Sequence, residues 1–459
     1  MLRDRNDTIA AIATPMGEAG IAIVRVSGPG AVDIVNTVFR GKSMLNCAES
    51  HTIHFGRIVH PSDGPVDQVL ASIFRKPHSY TGEDSVEISC HGSYYVSRKI
   101  LETVIGAGAR MADPGEFTQR AFLNGKMDLM QAEAVADLIH SKTALAHRAS
   151  MEQLNGRLSS VIESLRESLI ELCSLLELEL DFAEEGIEIV DRERVNRVFE
   201  QAITELESLI NSYGYGKLVR DGVKVVLAGN PNAGKSSLLN LLLQENRAIV
   251  SEFPGTTRDV IEESIVIEGI AFRLVDTAGL RSTSDKVEQE GVRRSNSQID
   301  SADIVLLLID SSLSSTAKGD HVNAIIETYP EKVLLVFNKI DLLDDRARRA
   351  LPGHVEGVEI SCLTSEGIAN LLWRIHERAI AHCDSNSSSV KIQSSRHRDL
   401  LKKTLENVES GHLAYEKLLG SELVAVDLRT ALNYLGEIIG LTTTDDVLNT
   451  IFSKFCIGK

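Results

Sequence analysis

The segment Gly229-Asn230-Pro231-Asn232-Ala233-Gly234-Lys235-Ser236 decides how the surrounding sequence folds. It has the spacing G-x-x-x-x-G-K-[ST], between an apolar run, Val223–Ala228, and a run of helical period, Ser237–Leu243. Glycines let backbone N–H groups close around phosphate oxygens, and the start of the following helix adds the positive end of its dipole. Lys235 is expected to reach the β- and γ-phosphates, and Ser236 to ligate Mg2+. A strand, loop and helix of this kind belong to a doubly wound α/β sheet, and the flanking sequence supplies one. Ile265–Ile267 and Ala271–Val275 read as a hairpin turning at Glu268-Gly269. Ile304–Ile309 and Val333–Phe337 are near-continuous apolar runs, as buried parallel strands require, and Val358–Ser361 is a short last strand.

Three further motifs follow in order. Asp276-Thr277-Ala278-Gly279 ends a strand, where the carboxylate can hold Mg2+ through water and the Gly279 amide can sense the γ-phosphate. Asn338-Lys339-Ile340-Asp341 follows the strand Val333–Phe337. The Asp341 carboxylate there can accept both guanine N1–H and the 2-amino group, which selects guanine over adenine. Ser361-Cys362-Leu363 follows the last strand, where it is expected to contact guanine O6. This order and spacing resemble the GTP-binding domain of translation-factor-like GTPases. The nucleotide is therefore expected to be GTP, held by Asn232, Ala233, Gly234, Lys235, Ser236 and Ser237 together with the three later motifs. Leu280 stands where Ras-like enzymes carry a water-positioning glutamine. A leucine cannot orient a nucleophile, so that work falls to another residue. The acids in Asp285-Lys286-Val287-Glu288-Gln289-Glu290 are candidates, although an acid in a loop is ordinarily a solvated charge.

The chain has 459 residues, which implies two to four domains, since single cores rarely grow past roughly 250–300 residues. It is 43% apolar and 25% charged, enough to build cores and unlike a disordered chain. No apolar run approaches a membrane span of roughly 18–20 residues. The first residues lead only into a short apolar stretch, Ile9–Ala13, too weak for a signal peptide. Six cysteines without a C-x-x-C pair exclude a disulfide scaffold and a zinc ribbon. The 13 histidines show no ligand spacing either, so no zinc is expected and a cytoplasmic protein is. The net charge of −17 argues against a general nucleic-acid coat but leaves room for a local basic patch. Residues 161–218 carry 14 Asp and Glu against 5 Lys and Arg, or −9 of that total.

Residues 1–118 read as mixed α/β. Their strands are expected at Ile21–Val26, Thr52–Val59, Gln68–Phe74 and Ser85–Cys90, with a helix after His91-Gly92. From Leu129 to about Ile210 the period is helical. Gly186 and the turn near Asp191 are expected to separate two long helices, and Tyr213-Gly214-Tyr215-Gly216 to close the helical part. After the linker Ser385-Asn386-Ser387-Ser388-Ser389 the helical period resumes through Leu400–Leu419 and Leu423–Ile439, and no internal repeats are evident. Helices on both sides of an α/β unit fit either an insertion or two separate helical modules.

Pro254-Gly255-Thr256-Thr257-Arg258-Asp259, Asn232, and the terminal Phe455-Cys456-Ile457-Gly458-Lys459 together resemble the bacterial tRNA modification GTPases of the MnmE (TrmE) family. Ile21–Gly28, Tyr80-Thr81-Gly82-Glu83-Asp84, Pro114–Thr118 and Leu123-Asn124-Gly125-Lys126 extend the resemblance over the whole chain. It implies an N-terminal α/β domain, 1–118, that binds folate and dimerises. It also implies a helical domain of two parts, 119–218 and 381–459, with a Ras-like P-loop GTPase domain, 219–380, inserted between them. The implied activity is potassium-activated GTP hydrolysis. With the flavoprotein MnmG, in a heterotetramer, it installs an aminomethyl-type group (carboxymethylaminomethyl) on carbon 5 of the wobble uridine of certain tRNAs. The folate site binds a 5-formyl- or methylene-tetrahydrofolate, the one-carbon unit comes from the methylene form, and FAD sits on the partner.

The residues that would contact folate are Arg25, Glu87, Lys126 and Lys459. Carboxylates of the folate tail want cations, and a pterin edge offers donors to a carboxylate. Without the resemblance, Arg25 and Glu87 are a plain cross-strand ion pair, and Lys126 and Lys459 are surface charges. The implied potassium site is Asn232, Ser251, Phe253 and Thr256, with Thr257 as the second Mg2+ ligand beside Ser236. Ser251, Thr256 and Thr257 then also lie at the nucleotide, and Glu288, with Glu290 nearby, orients water. Cys456 has two readings: a thiolate adding to carbon 6 of uridine, or a thiol lining the folate pocket. A ribosome-assembly switch of the Era or EngA type stays open as the alternative function, decided by the N-terminal half and the Cys456-Ile457-Gly458-Lys459 end.

Overall fold

The computed structural model describes residues 7–182, 192–246, 263–276, 297–312, 320–343, 357–381, 391–455 and 457–459. It divides into two compact units. The first comprises Met1–Ala136, Gln153–Arg166 and Leu432–Lys459, and the second Asp137–Glu152 and Glu167–Ala431.

The first unit is built on a sheet of seven strands among the described residues: β1 (Ile9–Ile12), β2 (Ala19–Ser27), β3 (Phe39–Gly41), β4 (Thr52–His60), β5 (Gly64–Phe74), β6 (Ser85–Gly92) and β7 (Arg110–Met111). Their order is β3-β4-β5-β6-β2-β1-β7, antiparallel except where β1 meets β7. Helices α1 (Ala31–Val38) and α2 (Tyr94–Gly106) cover one face. Alternation decides which side chains go there, because successive residues of a strand point to opposite faces. Val24, Val26, Ile58, Val69, Ala71, Ile73, Val86 and Ile88 meet Val32, Val35, Ile100 and Val104. On the other face Ile9 and Ala11 pack with Phe117. All four residues of β1 are thus buried, and its run of apolar residues without alternation is what hid it from the sequence reading.

Helices α3 (Glu116–Leu123), α4 (Leu129–His140), α5 (Ala144–Leu154), α6 (Arg157–Phe182) and α7 (Arg192–Asp221) follow. Gly186 and Asp191, expected to separate two long helices, lie outside the described residues. One expectation is corrected: Tyr213–Gly216 does not close the helical part, since α7 runs through both glycines to Asp221. Gly216 is there for close approach, because a Cβ on it would lie 2.1 Å from the carbonyl oxygen of Ile392. The stop is Gly222, left-handed at φ 70°, whose N–H donates to Leu218 O at 3.0 Å.

The second sheet contains β8 (Val223–Gly229), β9 (Glu263–Ile267), β10 (Ile270–Asp276), β11 (Ile304–Asp310), β12 (Val333–Asn338) and β13 (Gly357–Glu359). The order is β13-β12-β11-β8-β10-β9, parallel apart from β9 at one edge. β9 and β10 join through Glu268 and Gly269, both at positive φ, as a two-residue hairpin turn needs. Helices α8 (Lys235–Asn246), α9 (Asp320–Thr328) and α10 (Ile368–Ile380) flank the sheet. Val225, Leu227 and Leu306 pack toward Leu238, Leu242 and Ile375, whereas Val226, Val305 and Leu307 pack toward Val322 and Ile325. Both faces are therefore covered, which makes this a doubly wound α/β sheet.

Beyond it come α11 (Ser395–Glu416), α12 (Ser421–Ile439) and α13 (Asp445–Phe452). α11 lies antiparallel to α7: Phe199 stacks on His412 at 4.8 Å, and the Ile392 N–H donates to Ser212 Oγ at 3.0 Å. Among the described residues no helix is long and apolar enough to cross a membrane.

Candidate functional site: a nucleotide loop and an arginine site

The loop between β8 and α8 takes its shape from residues that tolerate unusual backbone. Gly229 has φ 134°, and a Cβ there would strike Leu308 O of the neighbouring β11 at 2.3 Å. Asn232 is left-handed at φ 64°, which asparagine tolerates better than most residues. Gly234 has φ 101°, and a Cβ on it would lie 2.1 Å from Asn338 Nδ2. Lys235 starts α8, and its buried ammonium donates to Gly229 O and Asn230 O, both at 2.9 Å. The lysine charge is thereby tied to the first two residues of the loop. Ser236 Oγ donates to Asp276 Oδ2 at 3.0 Å, joining the helix start to the end of β10. A hydroxyl and a carboxylate side by side make an oxygen donor set suited to a hard cation such as Mg2+.

The base-side motifs converge on the same loop. Asn338, 1% exposed, donates from Nδ2 to Ala233 O at 2.8 Å and accepts from the Cys362 N–H at 3.2 Å. One side chain thus ties the phosphate loop to the loop after β13. Ser361 Oγ donates to Asp341 Oδ1 at 2.6 Å and accepts from the N–H groups of Leu363 and Thr364 at 3.3 and 3.2 Å. This aims the Asp341 carboxylate and leaves Leu363 85% exposed at the rim. Burial pushes the Cys362 thiol up to about 11, so it stays a neutral thiol. Ser237, the second residue of α8, is exposed.

Lys339 shows a partner that the motif reading missed. Its backbone is left-handed at φ 66°, and its ammonium meets Asp310 Oδ2 at 2.6 Å. Burial raises the Asp310 carboxyl, but hydrogen bonds from Lys339 and Ser312 outweigh it and hold the group below its ordinary value. The available signal was an aspartate ending the apolar run Ile304–Ile309, one sheet position from Asn338.

On the first unit, Arg25 and Glu87 face each other in register on β2 and β6. Arg25 Nε donates to Glu87 Oε1 at 2.9 Å, and another guanidinium nitrogen reaches Gly458 O at 3.4 Å. The guanidinium lies 5.3 Å from the Tyr80 ring and 5.7 Å from the Phe117 ring. Burial raises the Tyr80 hydroxyl, which pairs with Thr118 Oγ1 at 2.8 Å. Gly458, at φ 96°, is pressed so closely on β1 that a Cβ would sit 2.4 Å from Ile12 O. The C-terminal Gly458-Lys459 is therefore laid beside Arg25, 433 residues away in the chain. Lys126 Nζ donates to Pro77 O at 3.1 Å.

An ionic network in the same unit also escaped the sequence reading. Arg120, 8% exposed, donates to Asp7 Oδ1 at 2.5 Å, to Glu116 Oε1 at 3.0 Å and to Glu83 at 3.3 Å. Arg110 binds the same Asp7 and Glu116. Ser251, Phe253, Thr256, Thr257, Thr277, Ala278, Gly279, Leu280, Glu288, Glu290 and Cys456 lie outside the described residues.

The chain matches two family models. One is the GTP-binding protein TrmE N-terminus over residues 8–126, and the other is the MnmE helical domain over residues 129–456. It is 44% identical over 464 residues to the tRNA modification GTPase MnmE of Salinibacter ruber, covering 99% of this chain and 100% of that protein. The protein of that name from Christiangramia forsetii is 42% identical, with 99% of each chain covered. That of Carboxydothermus hydrogenoformans is also 42% identical, again over 99% of each.

Proposed function

The chain belongs to the MnmE family of tRNA modification GTPases, and from that premise we propose that it works with a flavoprotein partner of the MnmG type on the wobble uridine of certain tRNAs. It binds and hydrolyses GTP and acts in tRNA modification. In this reading the product is an aminomethyl-type (carboxymethylaminomethyl) group on carbon 5 of the uridine, and the setting is cytoplasmic. A tetrahydrofolate bound on the first unit supplies the one-carbon unit, and FAD resides on the partner. The family match over the whole length speaks against a ribosome-assembly switch, which would share only the GTPase part.

The observation that carries the folate reading is the Arg25 constellation. A guanidinium paired to a carboxylate, walled by two aromatic rings and closed by the C-terminal carbonyl of Gly458, offers both polarities to a flat heterocycle. Lys126 and Lys459 add cations for a carboxylate tail. Homodimerisation is supported by apolar residues left exposed on the second face of the first sheet, away from Phe117. Ile53 and Phe55 on β4 and Ile21 on β2 are each more than 60% exposed, and Leu70 stands opposite Phe55 in register. On the second unit, Ser236 and Thr257 would ligate Mg2+. Asn232, Ser251, Phe253 and Thr256 would hold K+, which supplies positive charge beside the phosphates. Asn232 suits that role because it is exposed in the loop and carries an amide oxygen. Glu288 then orients water in place of the glutamine replaced by Leu280, and Cys456 either attacks uridine or lines the folate pocket.

Mass analysis of tRNA nucleosides tests the reading. A deletion strain should lack the wobble modification, and a plasmid copy carrying Arg25→Ala should fail to restore it while the purified variant still hydrolyses GTP. An unchanged nucleoside profile in the deletion strain, with an immature ribosomal subunit, would return the alternative. Hydrolysis should run much faster in KCl than in NaCl at equal ionic strength, and Asn232→Ala should remove the difference. Equal wild-type rates in the two salts would take potassium out of the proposal.

A further inference from the structure

The two ends where α7 and α11 meet are basic in a chain that is not. Residues 213–222 and 391–403 hold seven Lys and Arg against two Asp, so 23 residues carry +5 while the whole chain carries −17. The packing brings these segments together: the Ile392 N–H bonds Ser212, and Gly216 lets the backbone at Ile392 approach α7. Arg398 lies 4.5 Å from the Tyr213 ring, and Lys391 5.6 Å from the Tyr215 ring. Tyr213 and Lys217 are four apart on α7, and Arg398 and Lys402 are four apart on α11. Residues so spaced share a helix face. The contact of Arg398 with Tyr213 joins the two faces into one stripe, Lys217–Tyr213–Arg398–Lys402. Lys217 and Lys402 are exposed. The two acids of these segments are taken up by arginines, Asp399 by Arg398 and Asp221 by Arg220, each at 2.7 Å, and the next acids along the two helices are Glu207 and Glu406.

Helix stability does not account for this charge. Lys217 and Arg220 sit at the C-terminal end of α7, where the dipole favours cations, but Arg396 and Arg398 sit at the N-terminal end of α11, where it disfavours them. We propose that this stripe is a docking surface for the phosphate backbone of tRNA. At physiological salt, charges beyond about 8 Å are screened, so RNA phosphates at the stripe meet the local +5 and not the distant acids. The proposal rests on the tRNA-modification reading and goes further by placing the contact.

The test measures binding of fluorescently labelled tRNA by anisotropy at several KCl concentrations. The wild type is compared with Lys217→Ala/Lys402→Ala and with the triple variant that adds Arg398→Ala. Each lost phosphate contact should lower the slope of log K against log[salt] by about one unit, so the double variant should lose about two. Lys217→Arg/Lys402→Arg should bind like the wild type. GTP hydrolysis without tRNA should stay unchanged in the double variant, which establishes that it is folded. Wild-type affinity and slope in both Ala variants would overturn the proposal. A wild type that binds no tRNA would instead strike the tRNA-modification reading itself.

Discussion

Gly234→Ala probes the loop where its geometry is tightest. An L residue at φ 101° is strained by about 1–3 kcal/mol. The added Cβ would also lie 2.1 Å from Asn338 Nδ2, on a side chain that is 1% exposed and bonded at both ends, so it cannot swing aside cheaply. If Asn338 moves, the Ala233 carbonyl and the Cys362 amide lose their partner, at about 1–3 kcal/mol for each group left unsatisfied. If the loop moves instead, its N–H groups no longer converge on phosphate. Displacing Asn338 therefore costs at least about 3 kcal/mol, and a free loop that relaxes to escape this cost must repay it on binding, which at 1.4 kcal/mol per decade predicts GTP binding weaker by about 100-fold or more. Titration of a fluorescent GTP analogue in Mg2+ measures it. A double-mutant cycle isolates the cause, because in an Asn338→Ala background the clash is gone and only backbone strain remains. Affinity within threefold of wild type, or equal costs of Gly234→Ala in the two backgrounds, would refute the reasoning.

Gly216→Ala should destabilise the α7–α11 packing: better helix propensity gains about 1 kcal/mol, but overpacking a backbone carbonyl 2.1 Å away costs about 1–3 or more. Gly106→Ala, with nothing within 4 Å of its Cβ, should be neutral or stabilising, and hydrogen exchange of the two helical regions compares them. Asp310→Asn should release nucleotide several-fold faster in stopped flow, because its amide no longer fixes the Lys339 ammonium at the base-side loop. Arg120→Ala should cost about 1.5–3 kcal/mol in urea unfolding at pH 7, since Glu116, Glu83 and Asp7 lose charged hydrogen bonds while Arg110 still holds Asp7 and Glu116. Burial raises Asp7 and Glu116, but the hydrogen bonds from Arg110 and Arg120 outweigh it and leave both below their unfolded values. The wild type therefore holds this stability above about pH 4 and loses it as pH falls further, so the gap to Arg120→Ala should narrow in acid.

What the sequence made legible was what local chemistry dictates. The phosphate loop, the Glu268-Gly269 hairpin and the long apolar strands each depend on residues within a few positions of one another. What it hid depended on partners far away. Gly216 reads as a helix breaker until the Ile392 carbonyl is placed against it, 176 residues on. Asp310 reads as the polar end of a strand until the parallel register sets it beside Asn338 and Lys339. Asp7 and Arg120 are 113 residues apart, and no periodicity links them. Arg25 and Glu87 were legible as types, but which role they serve depends on Gly458 arriving from the other end of the chain.

Asn338 changes how the motifs of the nucleotide site relate. Read singly, one motif grips phosphate, another the base, and the last caps guanine. The structure routes all three through one buried amide, which holds Ala233 in the first and Cys362 in the last. Ser361, beside Cys362, in turn aims Asp341. A base that pulls on Asp341 therefore loads the same short chain of hydrogen bonds that shapes the phosphate loop. Gly234 has no side chain because that amide occupies the space, so the glycine of the first motif and the asparagine of the second are a complementary pair. Binding of the base and binding of the phosphates should then be coupled, and a change at either end should be felt at the other. Asp341→Asn accordingly should do more than shift preference from guanine toward xanthine. It should also weaken inorganic pyrophosphate, which touches no base, and pyrophosphate affinity unchanged in that variant would show the motifs to be independent after all.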